Sequence, residues 1–214
     1  MLRITLFILP LFFTIFLPIE DTNWKIEKVK NGITVYTHIP EGSNLKEIRM
    51  VSSAKATLSE AVAILVDVEG YPNWIYNCQS AKVINRVKNN EVIYYSVTKA
   101  PWPILDRDLV VRNTIYQNAN TKAVYSQSEA QTDIVPDITG RIRIKNMFGL
   151  WRFTPIGNGE IEIEYYIKVD PAGILPPWVV NMFIANGPYQ SMLNFKAQLN
   201  NEKYKNSKFD FIED

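Results

Sequence analysis

The sequence predicts an α+β domain in which a curved antiparallel sheet grips one long C-terminal helix. Three observations predict it. First, Ile161, Ile163, Tyr165, Ile167 and Val169 alternate with Glu160, Glu162, Glu164, Tyr166 and Lys168, a period of two that gives a strand one buried face and one wet face. Second, from Ala81 to Asp170 apolar runs are separated by short polar turn signals, as in an antiparallel sheet. Third, after Pro176-Pro177 the period lengthens, and Val179, Met182, Phe183, Asn186, Tyr189, Leu193 and Lys196 lie on or near one helical stripe. Strands grouped around segregated helices define the α+β class. Wrapping the sheet around the last helix is the simplest way to bury both apolar faces.

The elements follow in order. Residues 1–19 stand apart from the fold. Arg3 is the only charge before Glu20, and Ile4–Ile19 has only Thr5 and Thr14 as polar residues. A bilayer-crossing helix needs about twenty apolar residues, so this run is short for a span. A positive start before an apolar core is the pattern of a secretory signal, although no A-x-A cleavage box follows. An uncleaved N-terminal anchor is the alternative, and both place residues 20–214 outside the cytoplasm. Cleavage before Glu20 would leave 22 basic and 22 acidic residues. With one thiol the chain suits a bacterial envelope, the periplasm, better than a disulfide-stapled secreted domain.

Residues 20–214 read as one domain. Trp24–Lys30 and Ile33–Ile39 flank Asn31-Gly32, a strong hairpin signal because both residues tolerate positive φ. Leu45–Ala56 reads as a third strand. Thr57-Leu58-Ser59-Glu60 has the form of a capping box, and Leu58, Ala61, Val62 and Leu65 follow at helical spacing. Glu69-Gly70-Tyr71-Pro72 ends that helix before the aromatic segment Asn73–Asn77. The next strands are Lys82–Val87 and Val92–Thr98, Asp108–Gln117 and Ala123–Thr132, then Arg141–Thr154 and Glu160–Asp170. Gly187-Pro188 predicts a kink in the final helix, since proline removes a backbone donor and clashes with the turn before it.

Composition excludes several functions. Lys+Arg is 23 and Asp+Glu 22, so no basic field exists to hold nucleic acid. One cysteine and one histidine rule out zinc ribbons, two-histidine metal sites and most Cys–His or Ser–His catalysts. His38 reads as a packing or surface residue, and Cys78 as a small buried hydrophobe. Asp106-Arg107-Asp108 could be paired carboxylates, but a cation between two acids reads first as a structural ion pair. No phosphate loop, HExxH or Gly-x-Ser-x-Gly motif is present. No cofactor or metal is expected. Trp102 lies in the apolar, Pro-rich connection 99–105, which covers an opening in the sheet, touches a membrane transiently, or simply packs as a rigid loop.

At Tyr71-Pro72-Asn73-Trp74, Ile93-Tyr94-Tyr95-Ser96 and Trp102-Pro103-x-x-Asp106-Arg107-Asp108-Leu109-Val110 the chain resembles a START domain, the steroidogenic acute regulatory protein-related lipid transfer domain. Gly173-Ile174-Leu175-Pro176-Pro177-Trp178-Val179-Val180-Asn181, leading into the last helix, completes the resemblance, which covers about residues 22–205. It implies a helix-grip fold around a hydrophobic tunnel that binds, and transfers, a lipid or sterol-like apolar ligand without chemistry. Cyclases and hydrolases of the wider superfamily are the alternative, as is a ligand-free sensing module whose tunnel is filled by tyrosines. With the family as guide, strand alternation turns Leu109, Val111, Asn113 and Ile115 inward. By the family's pattern Tyr94, Ser96, Tyr125 and Gln127 also face in, with Ile163 and Tyr165 on the last strand and Val179, Met182 and Phe183 on the roof. Family tunnels often hold a buried charge where this chain has Asn113 and Tyr94. The expected polar spot is therefore neutral: Ser96, Asn113 and Gln127.

Overall fold

A computed structural model describes residues 23–43, 46–176, 179–180, 184 and 186–214. The leader, Met182 and Phe183 lie outside the described residues. Ten strands form one sheet: β1 (Lys25–Lys30), β2 (Ile33–His38), β3 (Glu47–Lys55), β4 (Cys78–Lys88), β5 (Glu91–Thr98), β6 (Asp106–Gln117), β7 (Val124–Ala130), β8 (Arg141–Arg143), β9 (Asn146–Gly157) and β10 (Glu160–Asp170). Their spatial order is β1-β2-β3-β10-β9-β7-β6-β5-β4, all antiparallel. The short β8 runs parallel to the start of β6. Helix α1 (Leu58–Val66) and the 3-10 turn Val68–Asn73 sit between β3 and β4, and helix α2 (Gly187–Gln198) follows the sheet.

Local chemistry explains most of the boundaries. Asn31 and Gly32 both adopt positive φ, 56° and 68°, which lets two residues join β1 to β2. Thr57 accepts a hydrogen bond from the Glu60 amide at 3.1 Å, while the Glu60 carboxylate accepts from the Thr57 amide at 3.3 Å, so the predicted capping box is formed. Eight residues of α1, from Leu58 to Leu65, are buried, which makes it a core helix more than a surface one.

One expectation changes. The run Arg141–Thr154 is not one strand: it breaks at Ile144-Lys145 into β8 and β9. After β7 leaves β6 at Val111–Ala130, the chain makes an excursion and returns along the start of β6. Pro188 lies in the first turn of α2, where its missing N–H has no intrahelical partner to lose. Ahead of it Val179 and Val180 are helical and Ile184 and Asn186 are in π-helical conformation, while 181–183 and 185, on which the predicted kink of a longer helix depends, lie outside the described residues. Ser191 and Asn194 fix α2 to the aromatic segment. Ser191 Oγ accepts from the Tyr76 amide at 3.0 Å, and Asn194 Nδ2 donates to the Trp74 carbonyl at 3.0 Å.

The core fills one half of the space between sheet and helix. Phe153, Phe195 and Trp151 pack ring against ring, with centroids 4.7–6.0 Å apart. Ile33, Ile48, Met50, Ile161 and Ile163 lie around them with almost no exposure. The other half, toward the start of α2, is open.

Candidate functional site: a neutral cavity under the C-terminal helix

The concave faces of β5, β6, β7, β9 and β10 supply the walls of this open half. Alternation turns Tyr94, Ser96 and Thr98 of β5, Leu109 and Asn113 of β6, and Ser126 and Ser128 of β7 into it. Met147, Gly149 and Trp151 of β9 and Tyr165, Ile167 and Val169 of β10 complete the sheet side. The segment Tyr71–Cys78 closes one end, and Gly187, Pro188 and Ser191 bring in α2. The enclosed volume is about 190 Å³. Gly149 keeps this space open, because opposite it on β10 stands Ile167 and beside it the aromatic ring of Tyr165, which stacks on Trp151 at 4.2 Å.

One polar cluster interrupts the apolar lining. Asn113 Nδ2 donates to Ser126 Oγ at 2.8 Å, to Ser128 Oγ at 2.9 Å and to the Gln127 carbonyl at 3.2 Å. The Tyr94 phenol is hydrogen-bonded to Ser128 and Tyr71, and the Tyr71 hydroxyl donates to the Leu65 carbonyl at 2.7 Å. Burial drives the Tyr71, Tyr94 and Tyr165 phenols well above their usual value and pushes the Cys78 thiol up to about 11. At neutral pH all four are uncharged, so none can act as a base. Among the described residues no group of three or more His, Cys, Asp or Glu side chains is placed to hold a metal ion.

The sequence-predicted residues divide cleanly. Tyr94, Ser96, Leu109, Asn113 and Tyr165 border the cavity. Val111 and Ile163 are fully buried on the same concave face, in the packed core beside it, and Val179 is fully buried ahead of α2. Tyr125 and Gln127 are corrections. Both face the opposite side of the sheet, where Tyr125 stacks on Tyr116 at 5.0 Å and Gln127 Nε2 bonds Glu129 at 2.8 Å. The polar spot is thus Asn113–Ser126–Ser128, one residue out of phase with the expected Gln127. Trp102 is 92% exposed and does not border the cavity. His38 packs against Trp24 at 5.3 Å.

The Asp-Arg-Asp triplet also differs from expectation. Arg107, 1% exposed, donates to the carbonyls of Leu105 at 2.5 Å, Pro171 at 3.1 Å and Ala172 at 3.2 Å. Asp108 faces the convex side and is held by Arg143, not by its neighbour. The Nε and Nη2 of Arg143 each donate to it at 2.9 Å, and the Tyr95 hydroxyl adds a third bond at 3.0 Å. Sequence reasoning missed Tyr71, Trp74 and Cys78 as lining residues. Their signal was an uncharged stretch, Tyr71–Cys78, between a buried helix and a strand.

A curved antiparallel sheet closed over a cavity by a C-terminal helix is the helix-grip architecture. The START domain family profile matches residues 19–205. The chain therefore belongs to the START family, whose domains bind and transfer lipids. A STAR-related lipid transfer protein from Xanthomonas axonopodis has the same fold, with a TM-score of 0.75 and 27% identity over 82% of this chain and 98% of that one. An uncharacterised protein of Pseudomonas aeruginosa is 29% identical over 82% of this chain and 86% of its own length. Bovine phosphatidylcholine transfer protein is 23% identical over 77% and 78%.

Proposed function

We propose that this protein carries one apolar molecule in the cavity under α2, between membranes outside the cytoplasm, and does not transform it. The observation that carries the reading is the cavity itself: an enclosed, largely apolar space in a chain whose remaining core is packed solid. Removing apolar surface from water contributes roughly 25 cal/mol per Å², so a cavity with a largely apolar lining favours an apolar guest. When the donor is a membrane the guest starts out dry, and exchange lies near balance, which suits a carrier. The lining supports a role without chemistry, because its titratable groups are neutral phenols and one neutral thiol.

Membrane contact falls to two fully exposed apolar side chains. Trp102 stands on the β5–β6 connection, and Ile174 on the segment that leaves β10. Arg107 ties the two segments together through Leu105 and Ala172. The apolar leader supports export.

Gly149→Val tests the carrier directly. A Cβ at Gly149 meets Met147 Sδ at 3.7 Å and Ser128 and Tyr165 at 3.8 Å, ordinary contacts, so the larger side chain grows into the cavity. Thermal stability should hold or rise by up to about 1 kcal/mol, since valine suits a strand better than glycine. Lipid recovered from the purified protein by solvent extraction and mass spectrometry should largely disappear. Undiminished lipid in this variant, or none in the parent protein, would remove the cavity from the function.

A further inference from the structure

The chain enters the fold at one end of the sheet. Trp24, just ahead of β1, is fixed there by its ring contacts with His38 at 5.3 Å and Tyr166 at 6.2 Å. Strand pairing carries this end across the molecule. Lys25 lies opposite Thr37, His38 opposite Glu47, Glu47 opposite Lys168, Lys168 opposite Phe148 and Phe148 opposite Glu129. The pairs Ala130 with Val111 and Arg107 with Thr98 continue it to β5. The β2–β3, β5–β6 and β7–β8 connections and the stretch leaving β10 therefore all lie at this end. The cavity reaches it too, through Thr98, Ile144, Val169 and Pro171.

That end is the apolar one. Among the described residues Ile174 and Trp102 are the most exposed large apolar side chains, and Ile39, Leu105, Ile134 and Ile138 are exposed at the same end. The turns at the opposite end, 31–32, 89–90, 118–123 and 158–159, carry no exposed large apolar residue.

The leader lacks what its removal requires. Signal cleavage needs small side chains just ahead of the scissile bond. Residues 1–31 contain no Ala, Gly, Ser or Cys. Ile, Leu and Phe make up twelve of the sixteen residues Ile4–Ile19, ample apolar surface to partition into a bilayer. Only Glu20–Asn23 separate this run from Trp24. Fully extended, the chain from Ile19 to Trp24 reaches about 18 Å, less than half the roughly 40 Å breadth of a domain this size. A tether that short decides which end of the sheet meets the membrane.

We propose that the leader is retained as a membrane anchor and that it holds the domain with Trp102, Ile174 and the cavity mouth against the bilayer in which the anchor sits. This rests on the carrier reading above and deepens it, making that bilayer one end of every exchange. Two independent observations select the same face: where Trp24 enters the fold, and where the exposed apolar side chains lie. A lipid surface accounts for both, because it dissolves the leader and accepts single apolar side chains at its headgroup boundary.

The full-length protein is expressed with its own leader in a Gram-negative host. Membranes are washed with alkaline carbonate, the protein is released with detergent, and its intact mass is read. The protein should stay in the washed membranes, and its mass should include residues 1–19. For orientation, Ile174→Cys and Asn120→Cys, at opposite ends, are labelled with a fluorophore and reconstituted into phosphatidylcholine vesicles bearing a nitroxide near the headgroup. Cys78 is buried and does not compete for label. Quenching in Ile174→Cys should exceed that in Asn120→Cys by at least about threefold, since one label lodges at the headgroup boundary and the other stands a domain's breadth away. A mass without the leader, release by carbonate, or equal quenching in the two variants overturns the proposal, whatever lipid the cavity holds. Lipid extracted from the same preparation scores the carrier reading separately: a retained, oriented anchor on a protein that holds no lipid overturns the carrier and leaves the anchor standing.

Discussion

Strands β5 and β6 carry a buried ion pair on one face and, apart from Arg107 at the start of β6, no charge on the other. On the convex face, Asp108 and Arg143 form a doubly hydrogen-bonded pair with side chains 1% and 2% exposed. Tyr95 bonds Asp108, Arg141 bonds Tyr95 at 2.8 Å, and Arg143 reaches the Val135 carbonyl at 2.8 Å. Ile93, Val97 and Val110 pack around this network under Val135. On the concave face of the same strands, Tyr94, Ser96 and Asn113 offer only hydroxyls and an amide. The difference follows from permanence. A buried ion is tolerable when its partners are built into the same chain and never leave. A polar group beside a cavity without a built-in counter-charge is tolerable when its neighbours satisfy it, as Asn113 and the two serines satisfy one another.

The comparison can be broken most forcefully at Asp108. Asp108→Ala strands a buried guanidinium and should lower unfolding free energy by about 3–5 kcal/mol in urea titrations, with ligand preference intact in whatever protein stays folded. The same residue sets an acid limb. Burial opposes ionisation of Asp108, but the hydrogen bonds from Arg143 and Tyr95 and the charges of Arg143 and Arg141 outweigh it, so its pKa in the fold lies below the ordinary 3.8. A depressed carboxyl contributes stability that is fully present above its unfolded value and is lost as pH falls through the folded one. The parent protein should therefore lose stability below about pH 4 more steeply than Asp108→Asn, as followed by thermal melts at each pH.

Asn113→Leu attacks the other face. It leaves two serine hydroxyls without their donor and should cost about 1–3 kcal/mol, while shifting which lipids are recovered from the purified protein by solvent extraction and mass spectrometry. Stability loss without that shift would make the concave cluster a packing feature like the convex one. Tyr95→Phe is the mildest probe. It removes one hydroxyl between Asp108 and Arg141 and should cost about 1 kcal/mol with ligand preference untouched.

What could be read from the residues alone was what depends on near neighbours. The Asn31-Gly32 turn, the Thr57/Glu60 box and the alternation of β10 each involve residues a few positions apart, and all three form. The faces of β6 were legible because Leu109, Val111 and Ile115 mark one side. Those of β7 were not: Ser126, Gln127, Ser128 and Glu129 are polar on both sides, so hydrophobicity gives no phase. Only the pairing with β6, Asn113 opposite Ser128 and Tyr116 opposite Tyr125, sets it. Likewise Arg143 reaches Asp108 across 35 positions through a parallel contact that no turn signal announces. The apolar loop around Trp102 left a cover over the sheet, a membrane contact and a rigid packed loop all open, and the indole stands in solvent. The aromatic–proline pattern marked the loop but not its direction.

The grip of Arg107 on the carbonyls of Leu105, Pro171 and Ala172 has a consequence for acid conditions. Amide oxygens do not titrate, so this seam between the Pro-rich loop and the stretch leaving β10 stays stitched at pH values where the Asp108 carboxylate takes up a proton. The Arg107 link between the two segments that bear Trp102 and Ile174 therefore depends on no carboxylate acceptor, whereas the pair on the outside of the sheet does.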